Sequence, residues 1–234
     1  MKVFFSTMDN AGSLIPTLDK AYLEKASDYT QARARSYLSG RAILQKAFKE
    51  FYKIQSLPLM ISQSNGKPLF LDNRYPCFNI SHSSSTICIA ISDTEVGVDL
   101  EFVKSRGNLE GLIKRVLTKS EIEALSLLEK DEKLSEFTAL WTLRECLIKL
   151  SGRGLVDVSA MDVDYKEKRL NYFLAPNKSK VCTVYVDDSF IEDKKGFLSV
   201  STVDDEQIEF YKLEDNAFIK LENVKEKFTF TNIK

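Results

Sequence analysis

The sequence predicts an α+β protein of two similar lobes, each a long helix packed on a small antiparallel sheet. With 234 residues, the chain has the length of two lobes of about 100 residues each. Apolar residues recur at helical spacing from Tyr29 to about Ile54, and strand-like runs follow as far as residue 102. The same order of helix and then strands recurs after residue 104. We therefore expect an N-terminal lobe at 1–103 and a C-terminal lobe at 104–234 that includes a C-terminal extension.

Composition limits the classes of protein to which the chain can belong. The 33 basic and 34 acidic residues nearly cancel, so no large net field attracts the whole molecule to nucleic acid or to an anionic membrane. The sequence has no run of 18 apolar residues, and polar residues interrupt the first apolar run too early for a signal peptide. The four cysteines lack C-x-x-C spacing and fit a reducing compartment. We expect a cytoplasmic protein that binds neither nucleic acid nor membrane.

The first lobe is predicted from apolar periodicity and from turn residues. Residues 1–8 are typical of a strand, and apolar positions three or four residues apart indicate the helix that follows. The pair Asn65-Gly66, followed by Pro68, marks a turn, because glycine accepts positive φ and proline cannot donate to a continuing strand ladder. The predicted strands after this turn lie at 77–81, 86–92 and 96–102.

The second lobe is predicted to begin with helices at 109–117, 119–129 and about 131–151. Thr118 and Glu121 have the spacing of a capping box, which satisfies backbone N–H groups at the start of a helix. Gly152 and Gly154 follow the third helix, where glycine commonly ends a helix. The predicted strands of this lobe lie at 161–165, 169–174, 181–187, 197–203 and 207–213.

The segment Val96–Glu101 gives the strongest indication of chemistry. A strand sends alternate side chains to opposite faces, so Asp99 and Glu101 point the same way. Adjacent carboxylates repel each other, and burying them is costly unless a cation lies between them. Oxygen ligands of this kind suit Mg²⁺, which also takes waters and substrate phosphate. The alternative is that both side chains form a solvated strand face.

A second segment places an acidic and a basic side chain on one helical stripe. Trp141, Glu145 and Lys149 are four residues apart, and side chains at this spacing lie along one face of a helix. Glu145 could supply a third carboxylate to the same cation, with Lys149 one turn away to meet a phosphate. The alternative is an exposed Glu–Lys pair, worth roughly 0.3–0.5 kcal/mol, beside a tryptophan in the core.

The single histidine, His82, lies in a cluster of hydroxyl side chains that begins at Ser81. Hydroxyls, turn amides and an imidazole can together bind a phosphate. One histidine without a Cys/His cluster is too little for a zinc site, and the alternative for His82 is a structural place at the end of a strand. Lys67 adds a cation on a rigid turn, but the sequence contains neither a Walker loop nor a G-x-G-x-x-G motif.

Taken together, four segments resemble the motifs of the 4′-phosphopantetheinyl transferase family, most closely its larger, surfactin-synthetase-activating type. In chain order they are Gly66-Lys67-Pro68, Phe78–Ser83, Gly97–Glu101 and Trp141–Lys149. The resemblance implies two similar lobes related by a pseudo-twofold axis. It also implies Mg²⁺-dependent transfer of 4′-phosphopantetheine from coenzyme A to a serine of an acyl, peptidyl or polyketide carrier protein, releasing adenosine 3′,5′-bisphosphate. The implied enzyme is a monomer of the holo-[acyl-carrier-protein] synthase type.

The resemblance also implies roles for individual residues. The implied metal ligands are Asp99, Glu101 and Glu145, and the implied catalytic residues are Glu121, Glu145 and Lys149. The residues implied to bind coenzyme A are Arg33, Arg35, Gly66, Lys67, Pro68, Ser81, His82 and Lys149. Glu121 matches a glutamate proposed in the family as the general base, and a metal-bound water is the alternative base. Arg144 stands where members of the family commonly have lysine. A planar guanidinium with several N–H donors therefore replaces a compact ammonium at this position.

Two other functions fit parts of the same pattern. A non-catalytic module that binds coenzyme A or a carrier protein would not require Glu145 and Lys149 at their spacing. A metal-dependent phosphohydrolase would use the same carboxylates, but the sequence offers no further ligand cluster and no water-activating histidine besides His82. Residues beyond about 190 match no motif, and we expect them at a sheet edge and in a C-terminal extension. The identity of the carrier protein is left open.

Overall fold

A computed structural model describes residues 1–62, 66–154 and 158–233 of the chain. Its helices are α1 (Lys20–Ser27), α2 (Gln31–Phe51), α3 (Leu109–Val116), α4 (Lys119–Ser126) and α5 (Lys130–Ser151). Its strands are β1 (Lys2–Thr7), β2 (Met60–Ser62), β3 (Pro68–Phe70), β4 (Cys77–Ser83), β5 (Thr86–Ser92), β6 (Val96–Phe102), β7 (Asp162–Asp164), β8 (Arg169–Asn171), β9 (Lys180–Val186), β10 (Gly196–Thr202), β11 (Glu209–Glu214), β12 (Ala217–Lys220) and β13 (Glu226–Asn232). These helices and strands confirm the predicted α+β class. None of the helices that the structure describes has the length and hydropathy needed to cross a bilayer.

The chain forms two compact units. The first comprises Met1–Asp93 and Gln207–Glu222, and the second comprises Thr94–Glu206 and Asn223–Lys234. These ranges correct the predicted lobes, 1–103 and 104–234, in two places. β6 belongs to the second unit because it pairs with β10. Residues 207–222 belong to the first unit because β11 pairs with β1.

The first unit packs α2 against a sheet whose strand order, in the described residues, is β12-β11-β1-β5-β4. β1 runs antiparallel to β5 and parallel to β11, so the sheet is mixed and not purely antiparallel as predicted. The buried face of α2 includes Ala42, Ile43, Ala47 and Phe48, which have the spacing of an amphipathic helix. These side chains share one core with apolar residues of β1, β4 and β5.

Two strand pairs of the first unit carry the predicted phosphate-binding segments. β4 and β5 pair up to Ser83 and Thr86, and Ser84 in the turn between them has a φ of 53°. β2 pairs with β3, which begins at Pro68. Gly66, just before β3, has a φ of 85°, in the left-handed region that favours glycine. The positive φ predicted at Gly66 is therefore confirmed, while Asn65, the other residue of the predicted turn, lies outside the described residues.

The second unit packs α5 against a sheet with the strand order β6-β10-β9-β13-β8-β7 in the described residues. β8 and β13 run parallel, which again makes the sheet mixed, and the neighbours of β10 run antiparallel to it. Leu140, Leu143 and Leu147 of α5 are fully buried in the core of this unit. The helix covers the sheet face that carries Gly97 of β6 and Ser201 of β10, because both residues contact Cys146 of α5 or lie directly against it.

The predicted helix ends in the second unit are confirmed. Thr118 is the N-cap of α4 and forms a capping box with Glu121. Gly152 is the C-cap of α5, and its φ of 64° is one that residues with a Cβ rarely adopt. Because α5 ends there, Lys149 lies in its last turn, where the helix dipole favours a cation.

Among the described strands after residue 190, β10, β11 and β13 lie in the interior of their sheets, whereas β12 lies at an edge. β10 lies between β6 and β9, β11 between β12 and β1, and β13 between β9 and β8. Phe230 of β13 is fully buried. The buried Asn232 side chain accepts a hydrogen bond from the Tyr172 N–H and donates to the carbonyl oxygens of Ala175 and Pro176. The prediction that this region forms a sheet edge and an extension is therefore wrong for β10, β11 and β13.

Candidate active site

The face of β6 that carries Gly97, Asp99 and Glu101 is turned toward α5. A Cβ placed on Gly97 would overlap the carbonyl oxygen of Cys146 and would lie 2.8 Å from the backbone nitrogen of Leu150. Both of these atoms belong to the backbone of α5 and cannot be moved by rotating a side chain. Glycine therefore allows the closest approach of the two elements, and Asp99, two residues further on the same face, also faces α5.

Asp99 is buried and ion-paired. The residue is 5% exposed, and its Oδ1 accepts a hydrogen bond of 2.7 Å from Lys149 Nζ. This burial excludes the alternative of a solvated strand face for Asp99. Because the Lys149 ammonium pairs with a carboxylate on another element, the stripe on α5 is more than an exposed Glu–Lys pair.

Glu145 lies within electrostatic reach of the same groups. The pKa of its carboxyl is raised to about 6, first by burial and then by the negative charges of Asp99 and Glu101, while Lys149 acts in the opposite direction. Like charges held this close repel one another, and an added cation would lower that repulsion. The fold thus brings Lys149 into contact with Asp99 and places Glu145 where the charges of Asp99, Glu101 and Lys149 act on it.

Glu101 faces a second basic side chain, Arg106, that no motif in the sequence indicates. Arg106 Nη2 lies 3.8 Å from Glu101 Oε2. The guanidinium carbon of Arg106 lies 5.8 Å from the centre of the Phe137 ring on α5. Arg106 belongs to a polar stretch between β6 and α3 that has no periodicity and no motif, so its place beside Glu101 becomes visible only in the fold.

The donor set fits a hard divalent cation such as Mg²⁺. Two carboxylates from β6 and one from α5 offer oxygen ligands. Burial raises the pKa of Glu145 most, and a cation would relieve the further contribution from the negative charges of Asp99 and Glu101. Within the ranges that the structure describes, no three Asp, Glu, His or Cys side chains are already gathered as a metal site. Lys149 lies at Asp99 and Arg106 lies beside Glu101, so basic groups offset part of the negative charge. The carboxylates would have to turn from these partners to share one cation.

Glu121, predicted as the general base, has a different environment. Its side chain is 2% exposed, and Oε2 accepts hydrogen bonds from Arg144 Nη2 at 2.5 Å and from the Thr118 N–H at 2.9 Å. Arg144 is fully buried and also donates to the carbonyl oxygens of Leu140 and Met161. The pair joins α4 and the segment before β7 to α5. This burial favours a structural role for Glu121 over the predicted catalytic one and removes Arg144 from contact with a phosphate.

The predicted residues of the coenzyme A set other than Lys149 lie in the first unit. Ser81 is buried in β4, whereas His82, its neighbour, is exposed on the opposite face of the strand. Gly66 is exposed, and Lys67 and Pro68 are partly buried. His82 pairs with Ile87 of β5, and because its side chain is exposed, the imidazole is accessible to a ligand.

Two arginines of this set lie near the start of α2. The Arg33 guanidinium is stacked over the Tyr29 ring, with 4.2 Å between the guanidinium carbon and the ring centre. Arg35 forms an ion pair with Asp9. Both side chains are exposed, but Arg35 would have to leave Asp9 to bind another anion.

Part of the chain is similar to known proteins of one family. The family model described as the 4′-phosphopantetheinyl transferase superfamily matches residues 95–216. The chain is similar to the 4′-phosphopantetheinyl transferase AcpT of Salmonella typhimurium, with 31% identity over 131 residues, which are 56% of this chain and 65% of that protein. It is similar to the 4′-phosphopantetheinyl transferase HetI of Nostoc sp., with 29% identity over 157 residues, 64% of this chain and 66% of the relative. It is also similar to the 4′-phosphopantetheinyl transferase Sfp of Bacillus subtilis, with 32% identity over 128 residues, 54% of this chain and 56% of the relative. The matched region thus spans less than two thirds of the length of each of these relatives.

Proposed function

This chain belongs to the 4′-phosphopantetheinyl transferase superfamily, and on that premise we propose that it transfers the 4′-phosphopantetheine group of coenzyme A to a serine of a carrier protein. The products are a holo carrier protein and adenosine 3′,5′-bisphosphate, and the enzyme acts as a cytoplasmic monomer. The observation that supports this proposal best is the cluster of Asp99, Glu101, Glu145 and Lys149 on β6 and α5. This cluster lies inside the segment that matches the family.

The carboxylates of Asp99, Glu101 and Glu145 are the proposed ligands of Mg²⁺. When bound there, the ion supplies positive charge to the diphosphate of coenzyme A. The chain contributes the position of the donors, since Gly97 lets β6 and α5 pack closely enough for their carboxylates to act together. Phosphoryl transfer depends on positioning and on charge neutralisation more than on covalent chemistry by the protein.

Lys149 supplies a mobile positive charge in this proposal. In the structure its ammonium donates to Asp99 Oδ1. Its side chain is 28% exposed, so the ammonium can turn from Asp99 toward a ligand phosphate. There it offsets negative charge on the leaving group. The proposed contacts of the rest of coenzyme A are Arg33, Arg35, Gly66, Lys67, Pro68, Ser81 and His82.

The nucleophile in this proposal comes from the carrier protein. Cys146, the thiol next to Glu145, is fully buried, and burial raises its pKa well above the ordinary value, so it is unsuited to attack. The carrier serine must lose its proton as it attacks. Glu121 is the residue that the resemblance assigns to this task, and its buried ion pair with Arg144 opposes the assignment.

A mass measurement on the carrier protein tests the proposal. The chain is incubated with coenzyme A, Mg²⁺ and apo carrier proteins of fatty-acid, polyketide and nonribosomal-peptide synthesis, and each carrier is then weighed. We expect at least one carrier to gain one phosphopantetheine group. Glu145→Gln should prevent this gain while the chain stays folded. Glu132→Gln, at an exposed position of the same helix, is the matched control and should retain activity.

The same assay separates the proposal from its alternatives. Carriers of all three classes that stay unmodified would count against transfer. Binding of coenzyme A without modification of any carrier would favour a non-catalytic binding module. Hydrolysis of coenzyme A that does not depend on a carrier would favour a phosphohydrolase.

A further inference from the structure

Arg106 has hydrogen-bonding groups that the described part of the chain does not use. Its side chain is only 17% exposed. Both Nε and Nη2 are buried, and neither has a hydrogen-bond partner among the described residues. The distance of 3.8 Å from Nη2 to Glu101 Oε2 is too long for a hydrogen bond. A guanidinium stays charged in proteins and has only donors, so these N–H groups require acceptors.

Packing fixes the position of Arg106. Its guanidinium carbon lies 5.8 Å from the centre of the Phe137 ring, and Phe137 is fully buried in the core of the second unit. A cation near an aromatic ring is attracted to the ring. Arg106 is therefore held beside Glu101 by the ring and by the carboxylate charge, while Lys149 lies at Asp99.

We propose that Arg106 is a ligand-binding residue of this site and that its Nε–H and Nη2–H groups donate to the diphosphate of coenzyme A. The proposal rests on the proposed function. Nε and Nη2 form one edge of the planar guanidinium, and this edge matches two oxygens of a phosphate. Lys149 cannot replace that contact, because an ammonium is a point donor.

The pairing of charges in the structure supports this assignment. Each of the two carboxylates on β6 has a basic side chain beside it, Lys149 at Asp99 and Arg106 at Glu101. When these carboxylates turn to a divalent ion, both basic groups become available to the diphosphate. Burial of Nε and Nη2 favours a phosphate that enters the site over an acidic side chain on the surface of a carrier protein.

Titration calorimetry on the full chain with Mg²⁺ tests the proposal. The probes are coenzyme A and dephospho-coenzyme A, which keeps the diphosphate and lacks the 3′-phosphate. We expect Arg106→Gln to weaken the binding of both probes by the same factor, roughly 10- to 100-fold, as for the loss of charge-assisted hydrogen bonds. Arg106→Lys keeps a charge near Phe137 and should also bind both probes more weakly than the unaltered chain. Arg115→Gln, at an exposed position of α3, is the matched control and should bind as the unaltered chain does.

Three results would overturn the inference. Unchanged affinity of Arg106→Gln for coenzyme A would remove the contact. A loss for coenzyme A without a loss for dephospho-coenzyme A would move the contact to the 3′-phosphate. If the affinity for both probes is unchanged and a carrier protein binds more weakly, Arg106 contacts the carrier protein and not coenzyme A. If the unaltered chain binds neither probe, the proposed function itself fails, and this inference fails with it.

Discussion

The raised pKa of Glu145 shows that its ionised carboxylate destabilises the folded chain. Its carboxyl pKa is raised from 4.5 to about 6, mainly by burial and then by Asp99. The folded chain therefore binds this proton more tightly than the unfolded chain does. The stability contributed by protonated Glu145 is present below pH 4.5 and is lost as the pH rises through 6. A chain without this charge should be more stable at neutral pH.

We expect Glu145→Gln to raise the free energy of unfolding of the metal-free chain above pH 6, because glutamine carries no charge to bury. The gain should be about 1 kcal/mol, since the half-buried carboxylate keeps part of its hydration. Below pH 4.5 the two chains should be equally stable. Denaturant unfolding at about pH 3.5, where the carboxyl is largely protonated in both the folded and the unfolded chain, and at pH 7.5 measures both values. Equal stability at pH 7.5 would contradict the account of Glu145, and Glu132→Gln controls for loss of a surface charge.

The ion pair of Glu121 and Arg144 gives a second prediction for single residues. Both side chains are almost completely buried, and removal of one partner leaves an uncompensated charge in the core. We expect Glu121→Gln to lower the free energy of unfolding by about 3–5 kcal/mol. Glu123→Gln, at an exposed position of the same helix, should change it little. Thermal and denaturant unfolding of the two variants provide the comparison.

The outcome separates the two roles of Glu121. If Glu121 is structural, its replacement should lower the stability of the chain, and the fraction that stays folded should keep its transfer activity. If Glu121 is instead the general base, its replacement should leave stability unchanged and abolish transfer. The second pattern would show that the buried geometry of Glu121 does not represent the state that reacts.

At the scale of secondary-structure elements, the contact of β6 with α5 determines the site. Gly97 lies against the backbone of α5 at Cys146 and Leu150. We expect Gly97→Ala to push α5 from β6, to destabilise the chain by about 1–3 kcal/mol and to weaken Mn²⁺ binding, because Asp99 and Glu145 move apart. Unfolding experiments and Mn²⁺ titration measure the two effects.

Gly40→Ala is the control for this prediction. Gly40 lies in α2, and a Cβ there would be at ordinary contact distance, 3.5 Å, from the Ile80 side chain. Alanine is favoured over glycine inside a helix by roughly 0.5–1 kcal/mol, so this variant should be as stable as the unaltered chain or more stable. If Gly97→Ala behaves in the same way and binds Mn²⁺ normally, close packing of β6 and α5 is not what holds the site.

Elements with a clear period could be predicted from the sequence, and elements without one could not. α2 and α5 have long apolar stripes, and β5 and β6 alternate along short runs, so all four were found. α1 was missed because its buried side chains are only Tyr22 and Ala26, too few to mark a period. β13 was missed although Phe228 and Phe230 alternate, because its place depends on pairing with β9, far away in the sequence.

At the scale of the whole molecule, the matching family model confirms the resemblance on which the functional prediction rests. Acidic residues on one strand face and a helical stripe indicated Asp99, Glu101, Glu145 and Lys149, because both patterns are local. The partners of buried charges are not local. Arg144 lies 23 residues from Glu121 in the sequence, and Arg106 lies in an irregular segment, so neither pairing could be inferred without the fold.

The course of the chain through the two units could not be predicted either. An alternating run such as β11 predicts a strand but does not identify its neighbour. The parallel pairing of β11 with β1 joins residues about 200 positions apart and assigns 207–222 to the first unit. The boundary predicted at residue 103 assumed that neighbours in sequence share a unit, and this assumption fails at β6 and at β11.

The central claim is that one divalent ion is shared by Asp99, Glu101 and Glu145. Anomalous X-ray scattering from a crystal of the chain grown with Mn²⁺ and coenzyme A tests it most directly. We predict one strong manganese peak with oxygens of these three side chains and of the diphosphate as its ligands. A manganese peak elsewhere, with Glu145 turned away from β6, would contradict the account.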